Sequence, residues 1–122
     1  MEYTDHQEEA RATYSPILTQ AEIDEEQESP EKAFVLYKQA LVLIEELSQA
    51  NPNETIYKSD LASVLLKIAF FEVMSGRAKA GYHLLERAQI LLTDLYAADR
   101  SREHKEKLSE AEFALKRLKS II

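Results

Sequence analysis

The chain has no cysteine, and only two glycines and three prolines among its 122 residues. Without cysteine there is no disulfide, no thiol nucleophile and no thiolate metal site. So few glycines and prolines do not fit the many turns of a sheet protein; they fit a chain of long helices. No apolar run reaches the length of a membrane span, because Lys67 and Glu72 interrupt the longest one. A basic and apolar leader is also missing, so the expectation is a soluble cytoplasmic protein with no membrane insertion.

The apolar fraction of 45% is that of a folded protein, and 122 residues suffice for one domain with a core but not for two ordinary ones. The expected organisation is therefore a single all-helical domain over 1–122. Its net charge of -7 is uneven: residues 1–50 hold twelve acids and three bases, whereas the remainder holds ten acids and twelve bases. An acidic half repels phosphate, which argues against nucleic acid and suits a basic segment of a partner instead. The bases near the C-terminus alternate with Glu103, Glu106, Glu110 and Glu112, as on a solvated helix face.

The chain is organised around Leu61 to Tyr96, where apolar residues recur at helical spacing on both sides of Ser75-Gly76. This predicts a helical hairpin. Leu61, Leu65, Ile68 and Ala69 lie along one arm, and Gly81, Leu85, Ala88, Leu92 and Leu95 along the other. The small residues Ala69, Gly81 and Ala88 allow the two helices to approach closely. Upstream, Tyr3, Ala10, Tyr14, Ile17, Leu18 and Ala21 share one side of a first helix that contains Pro16. Either that helix begins near Ser15-Pro16 with residues 1–14 frayed, or it kinks there. Residues 24–29 then form an acidic connector, and Ser29-Pro30 gives a cap followed by proline at the first helical position. A second helix runs to about Ala50, and Val35, Val42 and Leu43 widen its stripe enough to predict cover on more than one side. Asn51-Pro52-Asn53 ends it. A last helix, capped by Asp99 or Ser101, carries His104, Leu108, Ala111, Leu115, Leu118 and Ile122 in a narrow stripe suited to closing the end of an array. The fold class is all-α: about five helices in antiparallel hairpins, as a short array or a compact bundle.

Ala33, Tyr37 and Ala40 repeat the spacing of Gly81, Leu85 and Ala88, 48 residues apart. With Leu65, Ile68 and Ala69 on the partner arm, this resembles the tetratricopeptide repeat, whose first helix places a large residue, a leucine and a small residue and whose second places small, aromatic, small. Leu65 takes the place of the family's tryptophan, Ile68 and Ala69 of its leucine and glycine, and Glu72 of its tyrosine. The chain departs from the pattern in its 48-residue spacing against about 34, in the polar Glu72, and in having no proline soon after Ala40 or Ala88. The resemblance implies a scaffold that holds a peptide or helix of a partner.

Catalytic and metal chemistry find little support. His6, His83 and His104 are far apart in sequence, and no Glu-x-x-His pair or cofactor loop accompanies them. No metal and no cofactor is expected, and the chain reads as a non-enzyme. Tyr57, Phe70, Val73 and Tyr82 exceed the main stripes and line either an exposed groove or the seam to a second copy, unless the first and last helices cover them, with Lys67, Arg77 and Lys79 available to acidic groups of a ligand. Phe70 and Phe71 point about 100° apart on a helix, so one of them must meet another helix, a partner or water. The expected function is a protein-binding adaptor. Its alternative is a self-associating structural or regulatory subunit, with a homodimer using the wide apolar stripes.

Overall fold

Six helices follow one another in the computed structural model, which describes the backbone of residues 2–122 and the side chains of residues 7–122. They are α1 (Glu2–Arg11), α2 (Ser15–Glu26), α3 (Pro30–Ala50), α4 (Thr55–Met74), α5 (Ala78–Asp99) and α6 (Arg102–Lys119), with no strand among the described residues. The sixth helix arises at the N-terminus. Pro16 lies in the first turn of α2, where its missing N–H breaks no helical bond, so the chain ends α1 at Arg11 and restarts. Tyr14 fills the turn between them and is fully buried. The side chains of Tyr3 and His6, which sequence reasoning used, lie outside the described residues.

α2 also runs further than the composition suggests. Asp24, Glu25 and Glu26, expected in a connector, are helical. The Ser29 N–H donates to the Asp24 carbonyl at 2.8 Å and the Glu28 N–H to Glu25 at 3.1 Å, with Glu28 at a φ of 59°. This pair of bonds closes a helix end whose left-handed residue is usually glycine. The α4–α5 turn uses the same device with the favoured residue. Gly76 has a φ of 84°, Arg77 N–H donates to the Glu72 carbonyl at 2.8 Å, and Gly76 N–H donates to Val73 at 3.1 Å. The Arg77 guanidinium then grips the Glu72 carboxylate with two hydrogen bonds, at 2.9 and 3.0 Å. Asn51 caps α3 through its side-chain amide to the Leu47 carbonyl at 2.9 Å, and Ser101 caps α6 by accepting from His104 N–H at 3.1 Å.

Packing is dominated by helices adjacent in the chain, α4 against α5 most of all, then α2–α3, α5–α6 and α3–α4. Short turns make these neighbours antiparallel hairpins. The α4–α5 approach is close because Gly81 has no side chain: a Cβ there would stand 2.5 Å from Val73 Cγ2 and 2.9 Å from the Ala69 carbonyl oxygen. Gly81, Leu85, Ala88, Leu92 and Leu95 are all buried, as are Ala33, Tyr37, Ala40 and Ile44 on α3.

α4 is the central helix, with eight of its 20 residues buried. Their spread around the helix shows that it is covered from several sides at once. Phe71 stacks on Phe34 of α3 with ring centroids 4.0 Å apart and planes 14° apart, leaving Phe70 to face elsewhere. The breadth of α3's apolar stripe has a different outcome. Val35 and Val42 are 54% and 56% exposed, so no second cover lies over them among the described residues, whereas Leu43 packs against the core. Ile122 is likewise exposed, since α6 ends at Lys119.

Candidate functional site: a trough along the central helix

α3 and α5 cover much of α4, but one line of its residues stays open. Asp60, Ser63, Lys67, Phe70 and Met74 follow at steps of three and four, so they share one face from Asp60 to the end of the helix. Side chains of α2 and α6 reach this face. Lys67 pairs with Glu25 of α2 at 3.2 Å, and Lys107 of α6 donates to Ser63 at 2.6 Å.

Two hollows lie along the line. The first, of about 460 Å³, mixes charged and apolar side chains: Asp60, Ser63, Val64 and Leu66 line it from α4, Leu18 and Glu22 from α2, and Glu103, Lys107 and Glu110 from α6. The second, of about 500 Å³, is apolar and is lined by Phe34, Phe70, Phe71 and Met74, with Glu25 and Glu28 at its edge. Both are lined by Tyr37, Lys67 and Phe70, so they form one trough that grades from a mixed lining to an apolar one. Met74, at the apolar end, is 87% exposed.

The electrostatics are one-sided. Six carboxylates line the trough (Glu22, Glu25, Glu28, Asp60, Glu103 and Glu110) against the cations Arg11, Lys67 and Lys107. Each cation is already paired: Arg11 with Asp60 at 2.9 Å, Lys67 with Glu25 at 3.2 Å, and Lys107 with Glu103 at 2.9 Å. Glu22, Glu28 and Glu110 have no cationic partner among the described residues. Two tyrosines hold the lining in place by donating their hydroxyls, Tyr14 to Asp60 and Tyr37 to Glu25. Burial, and next the bonded carboxylates, push both phenols well above their ordinary range, so they remain donors at neutral pH.

Of the residues singled out in the sequence, only Lys67 and Phe70 lie in this trough. Tyr57 and Val73 lie outside it, on the covered side of α4. Tyr57 is 1% exposed, and Val73 is the half-buried side chain that touches Gly81. They extend the Leu61–Leu65–Ala69 line by one turn at each end, so the same α4 face that meets its neighbours takes them in. Arg77 is committed to Glu72 at the turn. Lys79 is exposed and Tyr82 half-buried on α5, and neither lines the trough. Asp60, Ser63 and Met74 were missed, although their spacing with Lys67 and Phe70 is visible in the sequence. Glu22, Glu103, Lys107 and Glu110 carry no local signal, since they arrive from helices distant in the chain.

A second constellation lies on another side of α4. The buried His104 sits with Nε2 2.9 Å from Ser59 Oγ and Nδ1 2.7 Å from Asp99 Oδ2. The latter contact is close enough for an ion pair but lacks the alignment of a hydrogen bond. Neither Ser59 nor His104 borders the trough hollows, so no reactant site adjoins them there. The Ser59–His104 contact ties the start of α6 to α4. His83 is exposed, 3.4 Å from Glu86 and edge-on to the Tyr82 ring. Among the described residues there is no cluster of three or more potential metal ligands, and no helix long and apolar enough to cross a membrane.

Comparison with protein-family models, with curated proteins and with solved structures gave no match to this chain.

Proposed function

We propose that the protein is a non-enzymatic interaction module, an adaptor that holds a peptide or helix of a partner protein in the trough along α4. The observation that carries this reading is the open α4 line, Asp60, Ser63, Lys67, Phe70 and Met74, which joins a hollow of mixed charged and apolar lining to an apolar one. Such a surface offers an apolar anchor site and polar groups that fix register, the two components of segment recognition. Tandem helices packed on their chain neighbours support a helical-repeat-like scaffold. The finer tetratricopeptide assignment rests on the buried Ala33, Tyr37 and Ala40 matching Gly81, Leu85 and Ala88 in spacing. A cytoplasmic adaptor is the setting that this reading implies.

The test is selection of displayed random peptides on the immobilised protein, followed by binding to surface variants. Selected peptides lose affinity on Phe70→Ser and Met74→Ser and retain it on Val42→Asp and Ile90→Asp, which alter the exposed sides of α3 and α5. Loss confined to the Val42 and Ile90 variants would place binding on the other face and refute the proposal.

A further inference from the structure

Resting on the trough as the binding face, we propose that its occupant is a cationic amphipathic segment of a partner protein. A bulky apolar side chain of that segment seats against Phe70 and Met74, and its lysines or arginines meet Glu22, Glu28 and Glu110. Charge complementarity selects this chemistry. All three cations of the trough are already held by carboxylates, whereas these three carboxylates have no cationic partner among the described residues. An anionic ligand would have to displace Glu25, Asp60 or Glu103 from its cation and would lie beside three further negative charges. A cationic ligand displaces nothing. Glu28 borders the apolar hollow and Glu22 and Glu110 the mixed one, so positive charge is needed at both ends. Phe70 and Ser63 are seven residues apart on α4, about 10 Å or two helical turns. A helical ligand therefore carries its anchor and its inner cations about two turns apart on one face. Met74 suits the anchor site because its flexible thioether adapts to aliphatic or aromatic side chains.

The experiment is fluorescence anisotropy with an 18-residue labelled peptide of leucine and lysine at helical spacing, compared with versions bearing glutamate or glutamine for lysine. The lysine peptide should bind, with affinity falling as salt rises. The triple variant Glu22→Gln, Glu28→Gln, Glu110→Gln should weaken it about tenfold, the order expected for three partly solvated charge pairs. A control of equal charge change on exposed sites, Glu31→Gln, Glu46→Gln, Asp94→Asn, should leave it nearly unchanged. Equal weakening by both triples means diffuse attraction to an acidic protein and overturns the proposal. If the glutamate or glutamine peptide binds as tightly and is lost on Phe70→Ser or Met74→Ser, the charge inference fails while the trough stands as the binding face. If no peptide responds to those two variants, both fail. Self-association that fills the trough and is abolished by Lys116→Glu and Arg117→Glu would make a second copy the occupant, and would also overturn the proposal.

Discussion

A methyl group on Gly81 would meet a side chain, Val73 Cγ2, and also backbone, the Ala69 carbonyl oxygen. The side chain can rotate but the carbonyl is fixed in the α4 hydrogen-bond ladder, so the helices must separate. Alanine gains about 1 kcal/mol in helix propensity over glycine, against an overpacking cost of about 1–3 kcal/mol. Gly81→Ala is therefore expected to be net destabilising in urea titration, and Val73→Ala in the same chain to recover only part of the loss. At the helix ends the sign reverses with the residue present. Glu28 occupies the left-handed conformation that Gly76 occupies elsewhere, so Glu28→Gly should stabilise by about 1 kcal/mol and Gly76→Ala should destabilise by a similar amount. Gly81, Ala69 and Ala88 were legible in the sequence because small residues at helical spacing among leucines have one common use. Tyr57 was open between a groove and the core. An aromatic residue one turn before Leu61 suits a groove or a core equally until the neighbouring helices are placed, and here they cover it.

The α4–α5 hairpin depends on Glu72 as well as on glycine. Hydrogen bonds from Arg77 hold the Glu72 carboxyl below its ordinary value of 4.5, with burial opposing and the charges of Arg77 and Lys38 assisting. A carboxylate whose pKa is lower folded than unfolded adds stability above the unfolded value, and that contribution disappears as pH falls through the folded value. Glu72→Gln is thus expected to lower the urea midpoint at about pH 7 and to lose most of this difference at about pH 3. A difference that persists in acid would mean that the contact acts through packing alone. Between α4 and α6, His104→Ala removes a buried ring and leaves Ser59 without its partner, and should cost about 2 kcal/mol by the same titration. The helix boundaries from α3 onward were legible because proline, asparagine and Ser75-Gly76 mark them. The α2 end was not, since Asp24 to Glu26 resemble a solvated connector and reveal their helical state only through the Ser29 to Asp24 bond.

Over the whole molecule, packing on chain neighbours makes α4 the element with cover on most sides, and among the described residues of α1 Arg11 ties it to Asp60 and Gln7 to Glu54. Amide hydrogen exchange is expected to be slowest in the centre of α4, where Leu65, Leu66, Ile68 and Ala69 are buried, and faster at the C-terminal end of α6, where the following Ser120 to Ile122 are exposed. The sequence held half of the trough, the three-and-four line from Asp60 to Met74. It could not hold the walls, because Glu22 and Glu110 come beside that line only after α2 and α6 have docked.

The most direct test of a binding face on α4 is amide chemical-shift mapping of the labelled protein during titration with a peptide selected by display. The largest shifts are expected at Ser63, Lys67, Phe70 and Met74 and on the facing turns around Glu22 and Glu110. Shifts centred on Val35, Val42 and Ile90, with the α4 line unmoved, would contradict it.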